Sequence, residues 1–453
     1  MRRLLVALAA FFAVLPSPAA RANPPDARPN VLIILSDDQA WSTFSPTLMP
    51  TVYSQIVAQG ALFTSGYVDT PVCCPSRAEI LTGLYGHHTN VIYNISPLRK
   101  PTIVRALHDA GYRTGLFGKY LNSWPCWRRP EFDRWVCSGS GKSDYSLVDP
   151  TLNVDGQWQK FDGYTTDILA EFLSDFVAST DPGQPFFALY APTSPHLPAN
   201  DDRYRSLPVD PPRSPSYDEP TFMDRKPHYM WRGPMPGNER WMIDVQYREM
   251  ARAVRSLDDS VATVLASLGD RADNTLVFYL SDNGYLYGEH RRWGKGTPYD
   301  ESVRVPFAIR WPAALSPSGP IVSPALVENV DIAPTIAAVA GLPWQADGYS
   351  LVPLITGQAT SVRTAVLTEA CFGSTRWCPG GGTQIDGQSG VPGYWAVQTH
   401  RWTYIEYGTG ERELYDRWGD RYELVNLARA PGAEGMEARL AARLLALRTA
   451  PPH

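Results

Sequence analysis

Two strand-like runs of this chain end in the same way. Val31-Leu32-Ile33-Ile34-Leu35 leads into Ser36-Asp37-Asp38, and Thr275 to Leu280 leads into Ser281-Asp282-Asn283-Gly284. Continuous apolar runs of this length are the pattern of strands buried on both faces. In a parallel sheet both ends fall on the carboxyl edge, where such folds bind ligands. Three carboxylates and an amide oxygen gathered there repel one another unless a cation lies between them. All are hard oxygen donors, which selects calcium or magnesium over zinc or copper. Asp and Asn also cap helices that follow strands, and for either run alone capping explains the residues as well. Two matching strand ends in one chain favour the cation.

Between the two runs lies Cys73-Cys74-Pro75-Ser76-Arg77, followed by Ala78-Glu79-Ile80-Leu81-Thr82-Gly83. Pro75 and Ser76 suit a helix start, so Cys73 is expected at a helix N-terminus facing the metal. By residue type alone this is a reactive thiolate, its pKa lowered by Arg77. The other four of the six cysteines form two short-range pairs, Cys126 with Cys137 and Cys371 with Cys378. Each pair closes a short, polar, Trp-containing loop, which points to local disulfides. Adjacent Cys73 and Cys74 fit poorly as a structural pair, and no His or Cys cluster suggests zinc.

Cys-x-Pro-Ser-Arg followed by a Leu-Thr-Gly helix resembles the signature of type I sulfatases, which belong to the alkaline phosphatase superfamily. Other landmarks of that family follow in order along nearly the whole chain. They are the Asp37-Asp38 strand end, Gly118-Lys119, Pro195-His196-Leu197-Pro198, Ser281-Asp282-Asn283-Gly284, and Lys295-Gly296-Thr297-Pro298-Tyr299 leading to Arg304-Val305-Pro306. Val330-Asp331-Ile332-Ala333-Pro334-Thr335 and Glu413-Leu414-Tyr415-Asp416 complete the set.

The resemblance implies hydrolysis of an organic sulfate ester. It implies that a maturation enzyme oxidises Cys73 to formylglycine, whose hydrate supplies the nucleophile. It implies a calcium site, magnesium being the alternative, made by Asp37, Asp38, the residue at position 73, Asp282 and Asn283. Arg77 and Lys119 would stabilise the activated nucleophile, and Lys119 and Lys295 would bind sulfate oxygens. His196 would protonate the leaving oxygen.

One departure stands out. Many sulfatases carry a histidine two positions after the lysine matching Lys119, and here the run is Gly118-Lys119-Tyr120-Leu121-Asn122. Asn122, His87 and His88 are the candidates for its place. This run, the doubled cysteine and the His87-His88 pair resemble the N-acetylglucosamine-6-sulfatase and endosulfatase branch, which implies a sulfated sugar such as glucosamine 6-sulfate or a glycan as substrate, with an aryl sulfate as the alternative. The rival readings are a phosphodiesterase or phosphonate monoester hydrolase of the same superfamily, and a non-catalytic carbohydrate-binding protein on this fold. A second, His-rich metal set would favour phosphorus esters, and only one metal set is visible. The intact Cys73, Arg77, Lys119, His196 and Lys295 set speaks against the binding protein.

The elements that must hold these residues are legible in outline. Helical periodicity over Met49 to Ala58 closes at Gly60 as a C-cap. Ile103 to Ala110 with Gly111 repeats that pattern, and strands are expected over Thr114–Phe117 and Phe186–Tyr190. A long helix is expected from Asn238 to Leu268. Alternation of this kind predicts an α/β fold with a large, mixed, mostly parallel sheet covered by helices on both faces. The resemblance makes it alkaline phosphatase-like. Pro192 to Pro236 reads as an irregular functional loop. Aromatic and Thr-rich Tyr394–Tyr407 reads as an antiparallel hairpin, and Met436–Leu447 as a terminal helix. The expected division is a catalytic unit over residues 23–345 and a smaller α+β unit over 346–453.

Arg2 and Arg3, the apolar run Leu4–Leu15 and the Ala20-Arg21-Ala22 site have the layout of a secretory signal peptide over residues 1–22. A secreted or periplasmic protein is expected, with no transmembrane segment. A net charge of −5 over 453 residues argues against a nucleic-acid partner. Asn94-Ile95-Ser96 is a glycosylation sequon. His290-Arg291-Arg292 suits either an anionic substrate or a solvated face, and the face is favoured.

Overall fold

The computed structural model describes residues 28–139, 145–199, 202–219, 225–315, 319–371, 384–385 and 388–453. The expected signal peptide lies outside them, as does Cys378. No described helix is long and apolar enough to cross a membrane.

In chain order the strands are β1 (Asn30–Ser36), β2 (Ala61–Tyr67), β3 (Arg113–Gly118), β4 (Arg134–Cys137), β5 (Thr151–Val154), β6 (Gln157–Lys160), β7 (Phe186–Ala191) and β8 (Thr275–Ser281). Then come β9 (Leu286–Tyr287), β10 (Trp293–Gly294), β11 (Phe307–Arg310) and β12 (Ile321–Glu328). Ten of these form one sheet in the order β12-β2-β11-β8-β1-β7-β3-β4-β5-β6. From β8 through β4 the neighbours run parallel, whereas β11, β5 and β6 pair antiparallel. This is the expected mixed, mostly parallel sheet.

The continuous apolar runs have a direct cause. Alternate side chains of a strand point to opposite faces, and here both faces are covered. Leu32, Ile34, Val277 and Tyr279 pack with Leu169 and Leu173 of the Thr165–Ala178 helix and with Val254 and Leu257 of the Gly237–Ser267 helix. Val31, Ile33, Leu35, Phe278 and Leu280 pack on the other face. There they meet Ala78 and Leu81 of the Cys73–Thr82 helix and Ile336 of the Ile332–Ala340 helix. A polar group on either face needs a buried partner, as the Tyr279 hydroxyl has in Gln39 Oε1 at 2.6 Å.

The C-terminal part adds β13 (Val366–Ala370), β14 (Gln384–Ile385), β15 (Gln388–Ser389), β16 (Tyr394–Gln398), β17 (Trp402–Tyr407) and β18 (Arg412–Asp416). Strands β13-β16-β17-β18 make a four-stranded sheet whose pairings are all antiparallel. Leu440 and Leu444 of the Glu434–Thr449 helix pack on it with Val397, Tyr404 and Leu414. The expected hairpin and terminal helix are both present.

Two local readings need correction. The helical segment expected over Met49–Ala58 is present, as a π-helix, Val52–Ile56, followed by a 3₁₀ turn, Val57–Gln59, but its expected cap is not. Gly60 is no left-handed cap, because its φ is −155°. Glycine is required there for space, since a Cβ would lie 2.0 Å from the Ile309 carbonyl oxygen on β11. The second concerns His290, which is fully buried, not on a solvated face. Its Nδ1 lies 3.3 Å from Glu219, its Nε2 3.5 Å from Glu301, and its ring stacks on Tyr299 at 4.1 Å. Burial and Lys226 oppose its charge, but Glu219 and Glu301 outweigh them and raise its pKa to about 9.

Cys126 and Cys137 are disulfide-bonded, with Cα atoms 5.6 Å apart. The Trp135 indole N–H donates to the Cys126 carbonyl at 2.9 Å, inside the loop it closes. Cys371 is also disulfide-bonded, and its expected partner Cys378 lies outside the described residues. Non-reducing peptide mapping is expected to recover the 126–137 link, and converting both residues to alanine to cost about 2–4 kcal/mol of stability. Unchanged thermal unfolding in that double variant would refute the second expectation.

Candidate functional site

Strands β1 and β8 are in parallel register from Asn30 opposite Thr275 to Ser36 opposite Ser281. The two acidic ends therefore leave the sheet side by side. The Asp282 N–H donates to the Ser36 carbonyl (3.1 Å), and the Asp38 N–H donates to Asp282 Oδ1 (3.1 Å). Asp38 adopts φ +66°, a left-handed conformation uncommon outside glycine, Asn and Asp.

The Cys73–Thr82 helix brings the cysteine to this edge. Its last turn closes on Gly83 at φ +74°, a left-handed C-cap. At its start the Cys74 N–H donates to Asn94 Oδ1 at 3.0 Å. The sequon asparagine thus satisfies one of the amides that a helix N-terminus leaves open. Asn329 Nδ2 donates to Ser76 Oγ (2.9 Å) and to Glu79 Oε2 (2.8 Å), tying the helix flank to the segment after β12.

Cys73 Sγ lies 3.4 Å from Asp37 Oδ1 and 3.7 Å from Asp38 Oδ1. One ligand atom from each of Asp37, Asp38, Cys73 and Asp282 lies within 4.8 Å of the others, and all four residues are buried. Asn283 Nδ2 donates to Asp38 Oδ1 at 2.8 Å, while Asn283 Oδ1 is buried with no partner. A buried acceptor left open beside three carboxylates is what an oxygen-seeking cation would satisfy. The residues fit such an ion.

Three cations interleave with the carboxylates. Lys119 Nζ is 2.6 Å from Asp37, and Lys295 Nζ is 2.5 Å from Asp38 and 3.0 Å from Cys73 Sγ. Arg77 Nε is 2.8 Å from Asp282, and its Nη1 donates to the Lys119 carbonyl at 2.7 Å. Gly118 places Lys119 at the end of β3. Its φ is +122°, and a Cβ would lie 2.1 Å from the Ala191 carbonyl oxygen.

Burial alone would raise Asp37, but Lys119 and then Arg77 hold its carboxyl below the ordinary range. Asp38 follows the same logic, with Lys295 and then His196 outweighing burial. Asp282 is pushed up, by burial first and then by Asp37, despite Arg77. Arg77 was expected to lower the pKa of Cys73, and the surroundings of the thiol act the other way. Burial pushes the Cys73 thiol well above its ordinary value, and Lys119 and Lys295 do not offset burial together with Asp282 and Asp37. Arg77 spends its charge on the carboxylates instead.

His196 follows β7, with Nε2 3.6 Å from Asp38 Oδ2 and Nδ1 2.5 Å from the Leu197 carbonyl oxygen. All the residues expected to act are thus brought to one edge: Asp37, Asp38, Cys73, Arg77, Lys119, His196, Asp282, Asn283 and Lys295. His87 and His88 are committed elsewhere. The Nδ1 of His87 lies 3.0 Å from Glu369, and that of His88 lies 2.9 Å from Asp347. Asn122 donates from Nδ2 to the Tyr145 hydroxyl at 3.2 Å. Tyr145 and Asn94 are the residues that motif reading missed. Tyr145 sits in a stretch without a motif, whereas Asn94 was visible as a sequon and its capping role was not.

A mostly parallel sheet whose carboxyl edge carries an acidic cluster, lysines and a helix-borne cysteine defines the class, an α/β fold of the alkaline phosphatase superfamily. Within that class the chain belongs to the sulfatase family, whose profile matches residues 29–342. A second profile, the C-terminal region of N-sulphoglucosamine sulphohydrolase, matches residues 288–450. The chain is similar to the N-acetylglucosamine-6-sulfatase of Homo sapiens, 30% identical over 384 residues, covering 76% of this chain and 67% of that protein. It is also similar to the extracellular sulfatase SULF-1 homolog of Drosophila melanogaster, 32% identical over 370 residues, covering 74% of this chain and 32% of that protein. The chain thus spans only part of the length of these relatives. A solved protein bound to its substrate D-glucosamine-2-N,6-O-disulfate shares the fold, with a TM-score of 0.76 and 23% identity, over 92% of this chain and 97% of that one.

Proposed function

We propose that the protein is a sulfuric ester hydrolase that releases inorganic sulfate from a sulfated sugar, glucosamine 6-sulfate being the model substrate. One observation carries the reading. The two lysines, the arginine and the cysteine converge on a buried cage of three carboxylates and the open Asn283 oxygen. The relatives named for N-acetylglucosamine 6-sulfate point to the same substrate class.

The chain's own residues then divide the work. Asp37, Asp38, Asp282 and Asn283 would hold calcium, or magnesium, which supplies Lewis acidity toward a sulfate oxygen. Formylglycine made from Cys73 by a maturation enzyme would, as its hydrate, supply the nucleophilic hydroxyl. Lys119 and Lys295 present buried ammonium groups to an incoming sulfate and stabilise the charge that develops on its oxygens. Arg77 holds Asp282 and the Lys119 backbone in place. His196 donates a proton to the departing sugar oxygen. The disulfide and the kinship to a protein named as an extracellular sulfatase support work outside the cytoplasm.

The test is a panel of sulfate, phosphate and phosphonate esters offered to purified, aldehyde-bearing protein. Sulfate release from glucosamine 6-sulfate and 4-nitrophenyl sulfate is expected, with phosphorus esters turned over more slowly. Faster phosphonate than sulfate hydrolysis would overturn the assignment. His196→Gln is expected to slow sugar sulfates by about 10²–10⁴-fold and aryl sulfates with good leaving groups far less, because a poor leaving alkoxide depends on its proton. Equal loss on both would remove His196 as the acid.

A further inference from the structure

Tyr145 belongs to none of the landmark motifs, yet three groups of the candidate site meet on it. Its ring stacks on the His196 imidazole, with centroids 4.7 Å apart and planes 25° from parallel. The Lys119 ammonium stands over the same ring, 5.1 Å from its centroid. Its hydroxyl accepts from Asn122 Nδ2 at 3.2 Å. Lys119 and Asn122 leave the end of β3, while His196 follows β7, so this one ring joins two segments of the catalytic edge.

Each contact has a distinct physical effect. An aromatic face is electron-rich and attracts a cation, so it holds the Lys119 ammonium in place. Stacking also fixes the plane of the imidazole. With Nδ1 held by the Leu197 carbonyl, the ring contact leaves His196 one orientation, its Nε2 on the Asp38 side. A proton donor must be held within hydrogen-bond reach of its acceptor, so a freely rotating imidazole would lose most of its effect.

We infer that Tyr145 is a positioning residue for His196, acting through its ring. The phenol does not touch the leaving oxygen in this assignment; it acts through the imidazole. The inference rests on the proposed sulfatase activity for its kinetic consequence, and it has a structural consequence that is independent of activity.

Two readouts test it together. In protein carrying ¹³C-labelled histidine, the eight histidines give few signals, and loss of one in His196→Gln assigns His196. The stacked phenol shifts the His196 ring protons upfield. Tyr145→Ala is expected to release that shift and Tyr145→Phe to keep it. In turnover, Tyr145→Ala is expected to lower kcat on sugar sulfates about tenfold more than on 4-nitrophenyl sulfate, with KM little changed. Tyr145→Phe restores the ratio, and Tyr145→Ala has no further effect on it in a His196→Gln background. An unmoved His196 signal in Tyr145→Ala overturns the inference, and so does equal loss on both substrates, the mark of a merely structural role. If the wild-type protein releases no sulfate from any ester, the functional reading fails while the histidine signal still decides the positioning one.

Discussion

Cys73→Ala is expected to abolish sulfate release while leaving the fold intact, and Cys74→Ser to keep much of the activity. The two neighbours differ in what they face. Cys73 Sγ meets Asp37, Asp38 and Lys295. Cys74 Sγ turns away, 3.5 Å from Ser123 Oγ, and packs among the apolar residues of the sheet face. A serine at position 74 removes little volume and keeps a partner for Ser123. Only Cys73 has Pro two positions on and Arg four positions on, as the family signature requires. Tryptic mass spectrometry is expected to find the thiol-to-aldehyde change at Cys73 alone, in a host with the maturation enzyme. A host lacking it should yield folded, nearly inactive protein. An active Cys73→Ala protein, or an aldehyde at Cys74, would falsify the sulfatase reading.

What the sequence made legible follows from how locally each feature is encoded. The strands carrying Asp37 and Asp282 are buried on both faces, so their identity shows as unbroken apolar runs. The helices ending at Gly83 and Gly111 announce themselves through left-handed glycines. The short strands β4 to β6 and β11 lack such runs, and their pairing is set by distant partners, so they stayed hidden. Gly60 misled because its lost side chain answers to Ile309, which is remote in sequence. His290-Arg291-Arg292 misled for a related reason. Charge in a sequence reads as solvent exposure until the paired carboxylates, here Glu219 and Glu301, are seen in space. The acidic cluster was legible because two strand ends repeat one pattern. Tyr145 was not, because stacking on His196 is a contact between loops that no periodicity records.

Removing the cation, or the carboxylate that most needs it, is expected to remove turnover. Asp282 is the site carboxylate that burial and Asp37 push upward even with Arg77 beside it, so it gains most from a positive ion. Asp282→Ala would also break the buried Arg77 ion pair at 2.8 Å, leaving it only Asp37 at 3.5 Å, and breaking a buried pair costs about 3–5 kcal/mol. That variant could lose activity merely by unfolding. Asp282→Asn separates the two effects, because it keeps the volume and an oxygen for the Arg77 Nε–H while removing the charge a divalent ion requires. Its unfolding temperature is expected to stay near that of the parent, its bound calcium to fall in elemental analysis, and its kcat to drop on the order of 10²–10³-fold or more. Exhaustive chelation of the parent is expected to give the same loss, restored by calcium and less fully by magnesium. A cage of three carboxylates and an amide suits the larger ion, whereas magnesium demands near-ideal octahedral geometry and keeps its waters. Full turnover in chelated protein of verified metal content would eliminate the metal-assisted mechanism. Equal rescue by both ions would remove only the preference for calcium.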